Sequence, residues 1–284
     1  MPTVIQKQPL LRVYTEAPRP EDIKERILGY GRSSTGKTRW GLSLPDRYGK
    51  IAYFCADDNA EYLHSIAVEK HARIVRIIPE GDDPTASFQA FCMRDWKKVD
   101  PAIGTLVVDT FTKVGMDSVA FSANTGAMDR EKHYHVGVVG EGGVAIPNRG
   151  DYQALDALGK GYLDTLFKMQ RDLHIIFLCH EDVKVIGGVA RGGPSFPGWT
   201  MMEYMPGEFS TVVRLIKEQQ LVKGADMPED VVVAIGENDG KFIAKVRTND
   251  ETKPNKMARV VLNRNPLNWW EAYDAYLGIK KEAA

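Results

Sequence analysis

The sequence predicts an α/β fold in which a mainly parallel β-sheet is flanked by helices. Short, almost continuously apolar runs, such as residues 50–55 (KIAYFC) and 104–109 (GTLVVD), alternate with longer amphipathic stretches. Strands that are apolar on both faces are typical of parallel sheets covered by helices. Beyond residue 200 the strand-like segments follow one another closely, which predicts a β-rich C-terminal extension from about residue 205 to residue 284.

The length and composition are those of one large domain. The chain has 284 residues, of which 43% are hydrophobic and 26% are charged, and its formal net charge is −1. The Pro-rich residues 1–24 show no periodicity, so we predict an arm before a domain of residues 25–284. No apolar run could span a bilayer and the N-terminus lacks the layout of a signal peptide, so we expect no membrane partner. Three scattered cysteines predict buried thiols and a reducing, cytoplasmic location.

The strands of the core are predicted from short apolar runs bounded by polar or turn-forming residues. The first run ends in Gly31, so its strand leads directly into a tight turn. The third run is rich in β-branched residues, which favour strands. The predicted core strands are residues 26–30, 50–55, 72–78, 104–109 and 173–179.

The helices are predicted from apolar side chains at three- and four-residue spacing. This spacing is clearest between Tyr152 and Met169, and Pro45 ends the first helix. The predicted helices are residues 38–44, 61–70, 87–97 and 151–170. In the extension we predict strands at residues 211–217, 231–235 and 241–247, a hairpin turn at 237–240, and a helix within residues 265–281.

Residues 31–38 read GRSSTGKT, which is the pattern of a phosphate-binding P-loop. Its glycines let successive backbone N–H groups point at phosphate oxygens, and the helix that begins here adds its positive end. Lys37 reaches the β- and γ-phosphates, and the Thr38 hydroxyl can ligate Mg²⁺. A flexible loop that matches by accident is the alternative, but the strand before and the helix after favour ATP binding. The predicted nucleotide-binding residues are Gly31, Arg32, Ser33, Ser34, Thr35, Gly36, Lys37 and Thr38.

A second part of this site is predicted at the end of the strand at residues 104–109. Asp109 ends that strand, and ligands gather at the carboxyl edge of open parallel sheets. Its carboxylate would hold Mg²⁺ through a water, so the predicted metal residues are Thr38 and Asp109. An ordinary turn-forming Asp is the alternative.

Polar residues also follow two other predicted strands. Asp57 and Asp58 come after the second strand, where a carboxylate would face the γ-phosphate and act as the base. Asp58 with Glu61 fits a helix-capping box, so Asp57 is the predicted base, and the choice between the two stays open. His180 ends the strand at residues 173–179 and can report the γ-phosphate to the next loop, unless it is a structural histidine.

The order of these motifs resembles that of the RecA-like ATPases. The P-loop comes first, then the acidic pair, then Leu-Val-Val-Asp-Thr at residues 106–110, and then His180. Over about residues 25–250 the chain is similar to the short phage AAA-type nucleotide-binding proteins of the single-strand-annealing recombinase group. The resemblance implies a RecA-like P-loop NTPase core that hydrolyses ATP with Mg²⁺ and acts on single-stranded DNA in phage recombination, annealing or repair, in the host cytoplasm.

The resemblance also implies a site shared between subunits. Lys245 and Arg247 resemble a Lys-x-Arg pair that reaches the γ-phosphate of the neighbouring subunit in RecA-like rings, and residues two apart on a strand share a face. A solvated edge strand is the alternative. We therefore expect a homo-oligomer, either a ring or a filament. The predicted catalytic residues are Lys37, Asp57, Asp109, His180, Lys245 and Arg247.

Residues 124–150 and 181–199 are long stretches of low periodicity and are predicted to be functional loops. In RecA-like proteins the loops at these positions line the DNA channel, so the resemblance implies single-stranded DNA as a partner and a single-strand-binding protein as a further candidate. Cations would hold the phosphates and aromatic rings would stack on the bases. The relevant side chains are Arg130, Lys132, Tyr134, Lys184, Arg191, Phe196 and Trp199.

Other functions stay open. Asp57 stands where RecA-like proteins usually carry a catalytic Glu, and its shorter side chain predicts slow, DNA-stimulated turnover, or an ATP-switched DNA-binding module with negligible turnover. A ring helicase or translocase shares the same core. A small-molecule phosphotransferase would need an arginine-rich lid, which the sequence lacks.

Overall fold

The fold is built around one large sheet. The computed structural model describes residues 22–56, 68–81, 83–125, 138–139, 145–146, 149–186, 188–198, 200–220, 227–246, 256–262 and 265–279. The strands are β1 (Arg26–Gly31), β2 (Lys50–Cys55), β3 (Ile74–Ile77), β4 (Ile103–Asp109), β5 (Val138–Val139), β6 (Ala145–Ile146), β7 (His174–Ile186), β8 (Val189–Pro194), β9 (Thr211–Gln220), β10 (Glu229–Ile235) and β11 (Arg259–Val261). Among these residues nine strands form one sheet in the order β11-β10-β9-β1-β7-β4-β2-β3, with β8 paired to β7, while β5 and β6 pair with each other.

The centre of this sheet is parallel. Neighbouring strands run parallel from β9 through β1, β7, β4 and β2 to β3, whereas β10 and β11 are antiparallel additions at one edge. The predicted mainly parallel sheet is therefore confirmed. The β-rich extension contributes β9, β10 and β11 to the same sheet, so these strands enlarge the core.

Helices cover both faces of the sheet. They are α1 (Lys37–Leu42), α2 (Val68–His71), α3 (Pro84–Met93), α4 (Trp96–Val99), α5 (Phe111–Thr125), α6 (Arg149–Met169), α7 (Met201–Glu208) and α8 (Leu267–Tyr276). On one face α3, α5, α6 and α7 pack on strand residues such as Leu106 and Phe177. On the other face α1 and α8 pack on Val107 and Ile176, the strand residues adjacent in sequence to Leu106 and Phe177. Because successive strand residues point to opposite faces, strands covered on both sides must be apolar throughout.

The C-terminal helix α8 covers α1. The ring of Trp270 stacks on that of Trp40 with their centroids 4.9 Å apart, and the Trp270 indole N–H donates to the Trp40 carbonyl at 2.9 Å. One turn further on, the Tyr273 hydroxyl donates to the buried carboxylate of Glu25 at 3.0 Å. One aromatic contact and two buried hydrogen bonds thus join the end of the described chain to its N-terminal part.

A β-hairpin is the largest difference from the predicted fold. Residues 181–199 are predicted as a loop, but β7 continues to Ile186 and β8 returns antiparallel to it. Val185 and Val189 are exposed on this hairpin. The strand pattern is hard to recognise because β8 reads VARGGP, and glycine and proline disfavour strands.

Smaller differences concern single elements. Helix α5 is not predicted, since Gly115 and several hydroxyl residues interrupt its apolar repeat. The helix predicted at residues 87–97 divides into α3 and α4. Within the described residues, the strand predicted at 241–247 makes isolated bridges at Phe242 and Lys245 instead of a continuous ladder. The predicted arm is described only from residue 22, and most of the helix predicted at residues 61–70 lies outside the described residues.

Candidate functional site

Three predicted site residues lie at the carboxyl edge of the parallel strands. Gly31 ends β1 and Asp109 ends β4, and β7 runs between these two strands. In the register of the sheet Gly31 pairs with His180, and Asp109 pairs with Leu178. Open sheets with helices on both faces bind ligands in the crevice at this edge. The sheet therefore brings the P-loop motif, Asp109 and His180 into one neighbourhood.

Residues 32–36 connect β1 to α1 in a tight loop. Gly36 has a φ of 78°, in the left-handed region that glycine adopts without strain. A Cβ atom on Gly31 would lie 2.3 Å from the carbonyl oxygen of Leu215 on β9, so the close approach of the two strands requires glycine. Thr35 donates its hydroxyl to the Arg32 carbonyl at 2.9 Å and closes the loop. The structure thus explains why both Gly31 and Gly36 are glycines.

Lys37 lies inside this loop. The residue is 5% exposed, and its ammonium group donates to the carbonyl oxygens of Gly31 at 3.0 Å and Arg32 at 2.8 Å. A buried ammonium group needs such acceptors, and hydrogen bonds to an anion such as phosphate are stronger than those to carbonyls. The loop therefore holds its lysine where a phosphate group would meet it.

Thr38 and Asp109 are in direct contact. The Thr38 hydroxyl donates to Oδ2 of Asp109 at 2.5 Å, across 71 positions of sequence, and Asp109 is 4% exposed. Hydroxyl and carboxylate oxygens are the hard donors that Mg²⁺ prefers. These two residues consequently have the donor chemistry that a divalent cation would need beside the loop of residues 32–36.

Tyr53 on β2 also contacts Asp109, and the sequence motifs do not indicate this. Its hydroxyl donates to the same Oδ2 atom at 3.1 Å. Burial, and then the neighbouring Asp109 charge, raise the pKa of Tyr53 well above its ordinary value, so the phenol stays a donor at neutral pH. A tyrosine hydroxyl inside a buried strand needs a polar partner. A tyrosine in an otherwise apolar strand is therefore the sequence signal for a contact of this kind.

The main chain at His180 is tied to helix α5 through Thr112. The His180 N–H donates to Thr112 Oγ1 at 2.9 Å, and the Thr112 hydroxyl donates to the Ser195 carbonyl at 2.6 Å. Burial raises the pKa of the neighbouring Cys179 thiol to about 12, so this thiol is protonated at neutral pH. One threonine hydroxyl therefore joins β7 at His180, the segment after β8, and the helix that follows Asp109.

Glu181 connects the P-loop to the start of the hairpin. Its side chain is 2% exposed and accepts two hydrogen bonds from Arg214, at 2.7 and 3.2 Å. The exposed Arg32 of the P-loop forms a further ion pair with it at 3.4 Å. The Arg214 guanidinium also lies over the Phe242 ring, 3.2 Å from its centroid. A buried carboxylate requires such partners, so Glu181 and Arg214 stabilise each other.

Lys245 lies away from this edge of the sheet. Its main chain pairs with Val212 on β9, whereas Gly31 pairs with Leu215, three residues further along the same strand. Three strand residues span about 10 Å. Lys245 is exposed overall. Partial burial of its ammonium group nevertheless lowers the pKa of that group. The structure does not bring Lys245 to the P-loop of its own chain.

Several predicted residues lie outside the part of the chain that the structure describes. Phe196 is described, but it is 2% exposed and stacks on Phe111 with their ring centroids 4.5 Å apart, so it is not available to stack on a base. The residues outside the described ranges are Asp57, Asp58, Arg130, Lys132, Tyr134, Trp199 and Arg247.

The chain matches no protein-family model, and no curated protein sequence matches it. None of the described helices is long and apolar enough to cross a membrane. Within the described ranges, no three His, Cys, Asp or Glu side chains are grouped so that they could hold a metal ion.

Proposed function

We propose that this protein is a RecA-like ATPase that binds and hydrolyses ATP with Mg²⁺ and acts on single-stranded DNA in recombination, annealing or repair. The observation that carries the proposal is the 2.5 Å contact between Thr38 and Asp109, at the sheet edge where Lys37 is buried in its loop. A lysine, a hydroxyl and a carboxylate arranged beside a glycine-containing loop are the groups that hold a nucleoside triphosphate and its metal.

The loop of residues 31–38 would hold the phosphates of ATP. Its backbone N–H groups donate to phosphate oxygens, and Lys37 exchanges its carbonyl acceptors for the β- and γ-phosphates. Thr38 and Asp109 are the residues that would hold Mg²⁺ beside the phosphates. The cation neutralises charge on the phosphates when it is bound.

We propose that a neighbouring subunit completes the site. Lys245 is exposed and lies away from the P-loop of its own chain, which is the position that a residue serving another subunit needs. With Arg247 it would stabilise negative charge that develops on the γ-phosphate. Asp57 is the proposed base, so ATP hydrolysis requires both a homo-oligomer and this carboxylate.

The hairpin of β7 and β8 is the proposed DNA-binding element. It begins directly after His180, and Lys184 and Arg191 are opposite one another in its register. Lys184 donates to the Gly198 carbonyl at 2.9 Å, while Arg191 is exposed. Cations on such an element hold the backbone phosphates of single strands. A movement of His180 on γ-phosphate binding would pass along β7 to the hairpin and couple nucleotide state to DNA binding.

ATP turnover of the purified protein with and without a single-stranded oligonucleotide tests the proposal. We expect DNA-stimulated hydrolysis that Lys37→Ala reduces by about a hundredfold or more, because its charge acts on the transferred phosphate. Lys168→Ala is the matched control, since Lys168 is an exposed lysine on α6 with 64% of its side chain accessible. This variant should hydrolyse ATP at the wild-type rate.

The results of these measurements distinguish an ATPase from an ATP-switched DNA-binding module. ATP-dependent DNA binding without turnover would support the ATP-switched module, which the short Asp57 side chain favours. Absence of ATP binding would contradict the whole proposal. Light scattering after gel filtration, with and without ATP and an oligonucleotide, tests assembly, and a monomer under all conditions would contradict the shared site.

A further inference from the structure

We infer that Tyr53 is a positioning residue for Asp109. Its hydroxyl holds Oδ2 of that carboxylate in place for Thr38 and a divalent cation. The inference rests on the proposed function, since the cation is the one that Thr38 and Asp109 would bind. In this role Tyr53 acts through its hydrogen bond to Asp109 and is not itself a ligand of the metal.

The order of strands in the sheet brings Tyr53 to Asp109. Strands β2 and β4 are neighbours, and in their register Tyr53 pairs with Val107 and Cys55 pairs with Asp109. Residues two apart on a strand share a face, so Tyr53, Val107 and Asp109 all point to the side that α1 covers. The long phenol ring reaches diagonally past Val107 to the carboxylate, which leaves 3.1 Å between the two oxygen atoms.

One carboxylate oxygen receives both hydroxyl groups. Thr38 donates from α1 at 2.5 Å, and Tyr53 donates from β2 at 3.1 Å. Each donor comes from a different element and restrains both the position and the rotation of the carboxylate. Outer hydrogen bonds of this kind orient carboxylates for metal binding in other sites.

Burial shields the contact between Tyr53 and Asp109 from water. Tyr53 is 1% exposed and Asp109 is 4% exposed, so water has little access to replace a missing donor. A tyrosine that merely fills the core could be replaced by phenylalanine without a change in metal binding. Here the acceptor of the hydroxyl is the proposed metal-side residue, so the two roles predict different results.

Nucleotide binding as a function of Mg²⁺ concentration distinguishes a positioning role of Tyr53 from a role in filling the core. Tyr53→Phe removes one oxygen atom and keeps the ring. With a fluorescent ATP analogue as the probe, we expect this variant to need about tenfold more Mg²⁺ for half-maximal binding. Its affinity for the analogue in EDTA should equal that of the wild type. Tyr162→Phe is the control, because Tyr162 is 4% exposed and donates to the Thr85 carbonyl at 3.3 Å, away from the site.

The variants Asp109→Asn and Asp109→Asn/Tyr53→Phe give a second comparison that does not depend on the single Tyr53→Phe variant. If Tyr53 acts through the carboxylate, adding Tyr53→Phe to Asp109→Asn changes the Mg²⁺ requirement by less than about twofold. A further tenfold loss there, an unchanged requirement in folded Tyr53→Phe, or an equal loss with and without Mg²⁺ overturns the inference. Wild-type protein that binds the analogue independently of Mg²⁺ contradicts the proposed function instead.

Discussion

Single residues of the loop at residues 31–38 have conformations and contacts that few substitutions allow. Gly36 has a left-handed backbone, Gly31 lies against the carbonyl of Leu215, and Lys37 is enclosed by carbonyl oxygens of its own loop. Each of these features directs polar groups to one point at the edge of the sheet. If the loop binds a phosphate as proposed, this fixed arrangement reduces the entropy lost on binding.

Gly36→Ala should destabilise the protein and weaken ATP binding. A side chain at a φ of 78° is strained, so we expect a loss of about 1 kcal/mol in the free energy of unfolding. A Cβ atom there meets no other atom within 4 Å, so the effect comes from the backbone alone. Urea unfolding and a titration with fluorescent ATP measure both effects.

Gly161→Ala is the matched control for this prediction. Its Cβ atom would also meet no other atom within 4 Å, but Gly161 lies in α6. Alanine stabilises a helix relative to glycine by up to about 1 kcal/mol. The two substitutions should therefore change stability in opposite directions, and a change of the same sign would contradict the explanation.

The sequence allows only part of the candidate site to be predicted. Lys37, Thr38 and Asp109 belong to local motifs, in which the chemistry depends on neighbours in the chain. Tyr53 and Thr112 contact partners 56 and 68 positions away, and those contacts exist because of the strand order and register. Sequence motifs contain no information on that order, so these residues could not be found from them.

Among the elements, the hairpin of β7 and β8 differs most from its neighbours. Most strands of the sheet are covered on both faces, whereas this hairpin carries exposed valines and an exposed arginine. It also begins at the residue that follows His180. The parallel core was predictable because burial on both faces leaves continuous apolar runs, but an exposed, glycine-containing hairpin leaves no such pattern.

Arg191→Ala should weaken binding to single-stranded DNA and reduce its salt dependence. Loss of one phosphate contact lowers the slope of log affinity against log salt by about 1. Binding of a labelled oligonucleotide at several salt concentrations, in the presence of ATP, measures this slope. Arg171→Ala is the control, since Arg171 is exposed and lies before the start of β7, at the opposite edge of the sheet. Identical slopes for Arg191→Ala and the wild type would exclude the hairpin as the DNA-binding element.

In the molecule as a whole, the edge opposite the candidate site holds distant parts of the chain together. The N–H of Glu25 donates to Nδ1 of His174 at 3.1 Å, and the Glu25 carboxylate accepts from Tyr273 of α8 and from Ser210. His174 also packs against Tyr48, with their ring centroids 4.6 Å apart. These buried contacts link β1, β7 and α8, so the stability of the fold depends on the neutral form of His174.

Stability should consequently fall in acid. Burial, and then the charges of Lys24, Arg47 and Lys97, lower the pKa of His174 to about 3 from its ordinary 6.5. The unfolded chain therefore takes up a proton that the folded protein excludes. The contribution of His174 is complete above pH 6.5 and is lost as pH falls toward 3. We expect a loss of about 2 kcal/mol between about pH 7.5 and about pH 5.

His174→Asn provides the comparison. Asparagine keeps a hydrogen-bond acceptor but does not titrate. The free energy of unfolding of this variant should therefore fall by about 2 kcal/mol less than that of the wild type over the same pH range. Urea unfolding of both proteins at the two pH values measures the difference. Parallel pH profiles would show that His174 is not the responsible group.

The packing of α8 on α1 determines when the candidate site gains its full support during synthesis. Trp270 contacts Trp40 across 230 positions, and Trp40 lies in the same short helix as Lys37 and Thr38. A growing chain presents its N-terminal part first. For most of translation, α1 has an apolar face that α8 has not yet covered. A chain halted before residue 267 would contain the whole motif at residues 31–38 and still lack the helix that supports it.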